Sequence, residues 1–181
     1  RYYLEPAGQS PVYIDAGGAV DEVTAACIAA LEGRSAAALV TWYAGETDRR
    51  DLLPYLLERA GAETACEHIG GYTVRLYTLW EDVPEPPLIP LGVSFGPLRL
   101  VRAAVDTAIP AGEGVPVALV WRAEEPLSTD YKVRLRLVDA GRHDVAQVDR
   151  YLASGEGGPA DAWPVGEEGS HYAVLDLPPG T

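Results

Sequence analysis

Trp80-Glu-Asp-Val-Pro-Glu-Pro-Pro-Leu-Ile-Pro90 is where the side-chain rhythm of this chain changes. Four prolines within seven residues remove backbone donors and hold the chain extended, which suits a semi-rigid linker better than a helix or a central strand. Upstream, apolar residues recur at helical spacing between short extended runs; downstream they alternate with a period of two. The expected organisation is an α/β domain over residues 1–80, a Pro-rich linker over 81–96 and a β-sandwich domain over 97–181.

In the first half, Val12-Tyr-Ile14 reads as a short extended run ending at Gly17-Gly18. Asp21 then offers a carboxylate to cap a helix whose inner positions are Val23, Ala26, Cys27, Ala30 and Leu31, and Gly33 stops it. Ala37-Ala-Leu-Val-Thr-Trp-Tyr43 reads as a strand buried on both faces. After the charged stretch Glu46 to Asp51, Leu52, Leu53, Leu56, Leu57 and Ala60 form one helical face. Pro54 fits only a first turn, so this second helix should begin near Asp51 and end at Gly61. Thr64 to His68 and Tyr72 to Leu79 are two further strands around a tight Gly70-Gly71 turn. Strands alternating with helices in this order predict a small, mostly parallel sheet covered by helices.

In the second half, Val115, Val117, Leu119 and Trp121 share one strand face. Tyr131, Val133, Leu135 and Leu137 share another, with Lys132, Arg134 and Arg136 pointing outward. Leu98 to Asp106, His143 to Leu152 and His171 to Leu177 are further strands, with turns at Pro110 to Gly112, Glu124 to Thr129 and Ala140-Gly141. Short strands joined by turns indicate an antiparallel β-sandwich. Ser154 to Glu168 is a long Gly- and acid-rich loop holding Trp163.

Charge excludes whole classes of partner. The 181 residues carry a net charge of −13, with both halves acidic, so neither a nucleic-acid backbone nor an anionic membrane is an expected ligand. No run of 18 apolar residues is present. Cys27 and Cys66 match no metal spacing and are expected to be small buried packing residues, the alternative being one disulfide within the first half. The chain begins at Arg1 without Met and stops at Thr181 in what reads as a turn, so it is expected to be a piece of something larger.

Catalytic motifs are missing. Tyr13 to Gly18 lacks the spaced glycines of a dinucleotide fingerprint and the Gly-Lys-Ser/Thr ending of a phosphate loop, and Asp21 and Glu22 stand where an anion would sit. No serine occupies a Gly-x-Ser-x-Gly elbow. His68, His143 and His171 lie apart on strands and are expected at surfaces or strand edges. The acids Asp139, Asp144, Asp149 and Asp161 form no EF-hand pattern. We therefore expect no catalytic residue, no metal and no cofactor. The aromatic residues carry more information. Trp42 and Trp121 sit in apolar alternation and are expected in the core. Trp163, with Asp149 and Tyr151, is the candidate glycan contact, an indole face for a sugar ring beside an acid for its hydroxyls. The alternative is a loop pinned by one buried indole.

Ala38-Leu-Val-Thr-Trp-Tyr-Ala44 and Gly70-Gly-Tyr-Thr-Val-Arg-Leu-Tyr77, together with Val117-x-Leu-Val-Trp-Arg122, Asp130-Tyr-Lys-Val133, Ala146-Gln-x-Asp149 and Trp163-Pro-x-Gly166, carry a resemblance. In these motifs the chain resembles the soluble C-terminal region of bacterial protein mannosyltransferase-like (GT-C type) integral membrane glycosyltransferases. The resemblance implies an extracytoplasmic, non-catalytic region that positions glycan or acceptor, with the membrane-embedded part of the parent chain as its partner. Such enzymes keep their catalytic acids in loops beside membrane helices, which this chain does not contain. It also implies a sandwich that continues past Thr181, hence an open sheet edge and a dimer through it. The alternative function is a stand-alone carbohydrate- or protein-binding module of a secreted or cell-surface protein.

Overall fold

The computed structural model describes residues 12–42, 48–80, 87–105, 114–154 and 158–178. The expected turn at Pro110 to Gly112, the first part of the Pro-rich linker (81–86) and the terminal Pro-Gly-Thr lie outside the described residues. The fold is mostly antiparallel β-structure with two short helices.

Helix α1 (Val20–Leu31) buries Val23 and Cys27, as the spacing predicts. Asp21 does not cap it. The cap position is Ala19, and Asp21 and Glu22 instead sit in the first turn, where the helix dipole favours a negative charge. Gly33, at φ +68°, closes its other end. Helix α2 (Leu52–Ala60) starts where Pro54 requires, and its first amides are satisfied from outside. The Asp48 carboxylate accepts from Leu52 N–H and Leu53 N–H, both at 3.0 Å.

Strands β1 (Ala36–Thr41), β2 (Gly61–Ile69) and β3 (Tyr72–Leu79) form one sheet in the order β1-β3-β2. The sequence predicts parallel pairing, and the structure corrects it: both ladders are antiparallel. The reason is the Gly70-Gly71 turn, with φ of +56° and +87°. It folds β3 straight back along β2, and β3 then fills the gap between β2 and β1. The connection through α2 still leaves β1 and β2 pointing the same way, but no longer as neighbours. Val12 to Ile14 is not a strand of this sheet.

A second sheet has the order β4-β5-β6-β9, from β4 (Ile89–Phe95), β5 (Leu98–Val105), β6 (Gly114–Ala123) and β9 (Glu168–Asp176). Strand β4 falls in the segment read as linker; Pro90 is tolerated because β4 is an edge strand, and the ladder shifts register between Pro90 and Val93 around Gly92. A separate hairpin pairs β7 (Lys132–Val138) with β8 (Asp144–Tyr151).

Two hydrophobic clusters cover opposite faces of the four-stranded sheet. One joins α1, α2 and β1 to Ala104, Ala118 and Tyr172, so it draws residues from both sides of the proline stretch. Tyr55 of α2 meets Tyr172 of β9 with ring centroids 4.7 Å apart. The other cluster holds Val115, Val117, Leu119 and Trp121, on the face that the alternation predicts, against Val133, Leu135 and Leu137 of the hairpin. β6 is thus buried on both faces.

Candidate functional site

A cleft lies where the C-terminal ends of α1 and α2 meet the start of β1 and the end of β3. Its volume is about 940 Å³. The Gly33 turn carries Glu32, Arg34 and Ser35 onto its rim, with Arg34 N–H bonded to Leu31 O at 3.0 Å. Leu79 N–H donates to Ser35 O (2.9 Å) and Trp80 N–H to Ala60 O (2.8 Å), which ties the Trp80 backbone to α2. The Trp80 side chain lines the same cleft and remains 44% exposed. Ile28, Leu31 and Leu56 form apolar walls, and the Arg59 guanidinium lies 5.5 Å from the centre of the Tyr55 ring. An aromatic face, two guanidinium groups, one carboxylate and the Thr24 and Ser35 hydroxyls surround one apolar-floored space. That set can stack on a ring and bond to hydroxyls or a carboxylate.

Cys27 lines the same cleft without offering chemistry. Burial pushes its thiol up to about 11, so it stays protonated and non-nucleophilic. Cys66 is exposed, against expectation, because it lies on the exposed distal half of edge strand β2; both cysteines are free, so the disulfide alternative fails.

The residues singled out from sequence have other surroundings. Trp163 is only 3% exposed, packs in the same cluster as Leu127, Leu152 and Ala160, and donates its indole N–H to Glu167 O at 3.1 Å. It pins its loop, and its ring face is not open to a sugar. Asp149 is held by the Arg134 fork at 2.7 and 2.8 Å, which keeps its carboxyl below the usual range. Tyr151 is exposed, with Lys132 Nζ 4.4 Å from its ring centre. Trp121 is buried as expected, but Trp42 is 47% exposed beside Tyr72 on the uncovered side of the first sheet. Periodicity marks a residue as facing a side of the strand; it does not tell whether another layer covers that side. For the same reason Trp80, Arg34 and Arg59 were not legible as a group: their proximity depends on two helix ends converging.

Around the Tyr13 to Gly18 turn, Asp15 Oδ1 accepts from Gly17 N–H at 3.0 Å, and Arg50 Nη2 donates to Ala16 O and Gly18 O. Asp21 and Glu168 line the adjoining hollow, an acidic setting that disfavours phosphate. Among the described residues no group of three or more His, Cys, Asp or Glu could hold a metal ion. No helix among them is long and apolar enough to cross a membrane. The chain matches no protein-family model, no curated protein and no solved structure.

Two buried titratable groups outside the cleft act in opposite senses. His171, expected at a surface or strand edge, is instead 1% exposed, because β9 lies between the helices and the hairpin; neither ring nitrogen has a hydrogen-bond partner among the described residues. Burial, aided by Arg150, lowers its pKa to about 4. Burial, with Glu63 nearby, raises Glu58 to about 7. The folded state therefore favours neutral His171, so that contribution is intact above about pH 6.5 and is lost as pH falls toward 4. It favours protonated Glu58, so that contribution is intact below about pH 4.5 and is lost as pH rises through 7. Asp48, raised to about 6 by burial, acts in the same sense as Glu58, so between about pH 4.5 and 6 the two carboxyl groups outweigh His171 and the parent protein should lose stability as pH rises. His171→Leu should remove an acid penalty of about 3 kcal/mol, and Glu58→Gln an alkaline penalty of about 2 kcal/mol. Urea unfolding from pH 4 to 8 measures both, and variants running parallel to the parent curve would refute the assignment.

Proposed function

We propose that this chain is a non-catalytic, extracytoplasmic accessory region of a membrane glycosyltransferase-like protein, and that it positions a glycan in the Trp80 cleft. In this reading residues 12–80 act as an α/β unit, and the four-stranded sheet with its hairpin acts as an incomplete β-sandwich. The partner is the membrane-embedded part of the parent chain. One observation carries the proposal: a half-exposed indole, Arg34, Glu32 and Ser35 line one cleft roomy enough for a short saccharide. Stacking supplies affinity with little directional demand, while the guanidinium and carboxylate groups select hydroxyl geometry. The sequence motifs quoted above supply the setting.

Titration with neutral and acidic oligosaccharides, followed by tryptophan fluorescence and amide shifts, tests the proposal. At least one glycan should saturate and shift Arg34, Ser35 and Trp80. Trp80→Ala should weaken it by about tenfold, equivalent to about 1.4 kcal/mol, and Trp163→Phe should leave it unchanged. Flat titrations across the panel would remove the glycan reading. The half-exposed aromatic pair Trp42 and Tyr72, with ring centroids 5.7 Å apart, favours a second reading, a stand-alone protein-binding module. A parent gene without membrane-spanning segments would select it.

A further inference from the structure

The hairpin β7-β8 has two strands, whereas the sheet beneath it has four. Its inward residues Val133, Leu135 and Leu137 pack with residues of β5, β6 and β9. Among the described residues no strand lies over the β4 side. Ile89, Val93 and Phe95 pair with Ala103, Leu100 and Leu98, which places them on the same face as that cluster, yet they are 58%, 46% and 55% exposed. Between this strip and β7 lies a slot of about 340 Å³, whose lining includes Phe95, Leu100, Trp121, Val133 and Leu135.

Among the described residues β7 pairs with β8 alone, and Tyr131 to Leu135 line that slot. Leu152 N–H donates to Tyr131 O at 2.8 Å, which marks 131 and 152 as a bonded pair. Bonded and non-bonded pairs alternate along an antiparallel ladder. Val133 and Leu135 are therefore bonded to β8, while Lys132, Arg134 and Arg136 direct their N–H and C=O groups to the free edge. Their side chains form a cationic row on the outer surface, partnered on the β8 side by Tyr151, Asp149 and Asp144.

We propose that this edge accepts an extended segment of a different protein, about seven residues long, in which acidic and apolar residues alternate. Added antiparallel to β7, such a segment extends the hairpin over the open strip. Its apolar side chains cover Val93, Phe95 and Leu100. Its acidic side chains lie opposite Lys132, Arg134 and Arg136, where cross-strand opposite charges are favourable and like charges are not. A second copy pairing through its own β7 would set cation against cation, so the charge row selects against self-association here. The proposal is independent of the Trp80 cleft.

The test uses an acetylated, amidated octapeptide of alternating Glu and Val, with its Lys–Val counterpart. The Glu–Val peptide should bind saturably and shift amides within Lys132 to Arg136 and Val93 to Leu100. The Lys–Val peptide should bind at least about tenfold more weakly. In an antiparallel addition the Glu residues exchange bonds with β7, so N-methylation of the Glu amides should abolish binding, while N-methylation of the Val amides should spare it. On the protein, Arg134→Pro should abolish binding and Arg134→Ala only weaken it. Equal binding of the two peptides, indifference to Glu N-methylation, or shifts confined to other surfaces would overturn the proposal. So would a dimer of the free protein that the Glu–Val peptide dissociates, since a second copy would then hold the slot.

Discussion

Trp163→Ala is expected to lower the free energy of unfolding by about 4 kcal/mol, the scale for deleting a buried aromatic side chain. The indole is 3% exposed and packs with Leu127, Leu152 and Ala160. Its loss would leave a cavity between the loop and the sheet, since the loop is held elsewhere by Gly166 N–H to Ala123 O (2.8 Å) and Ser154 N–H to Gly158 O (2.9 Å) and cannot easily collapse. Trp163→Phe keeps most of the packing but removes the bond to Glu167 O at 3.1 Å, so about 1 to 2 kcal/mol is expected there. Urea denaturation of the three proteins gives both values. A loss under 1 kcal/mol for Trp163→Ala would mean that the ring does not pin the loop.

Arg50→Ala should be comparably damaging, at about 3 to 5 kcal/mol. The side chain is buried, and its Nη2 donates to Ala16 O (2.8 Å) and Gly18 O. The Arg50 carbonyl accepts from Tyr172 N–H at 2.9 Å. One residue therefore ties the turn before α1 to the segment before α2 and to β9. Removing the guanidinium strands two carbonyl oxygens and leaves the neighbouring Asp48 carboxylate, already raised to about 6 by burial, with one less cation nearby. Arg50→Met fills the volume without the donors, so it should recover little stability. Hydrogen exchange should show faster exchange at Gly18, whose N–H bonds to Asp15 O at 3.3 Å. Recovery of full stability by Arg50→Met would show that packing, not hydrogen bonding, is the source of the effect.

Much of this fold was legible in the residues. Pro54 set the start of α2, Gly33 and Gly70-Gly71 marked turns, and alternation placed Val133, Leu135 and Leu137 inward with the three cations outward. Strand pairing was harder. Nothing local distinguishes a β3 that adds beyond β2 from one that inserts beside β1. The candidate site was least legible. Trp163, chosen for its polar neighbours in sequence, is surrounded by apolar residues in space, whereas Trp80 lies beside a proline stretch and joins residues from 24 to 60.

By themselves, the residues determined both helices, most strands, the Gly33 and Gly70-Gly71 turns, the acidic character and the inward faces of β6 and β7, because these depend on contacts within a few residues or on simple totals, whereas β4 was hidden by its prolines. Tertiary structure alone decided that β3 is central, that β9 and His171 are enclosed between two layers, that Arg50 bridges three segments and that β7 pairs, among the described residues, with β8 alone. Those outcomes depend on which surfaces find a covering layer. A sequence states what each side chain would prefer to touch, and only packing decides what it meets.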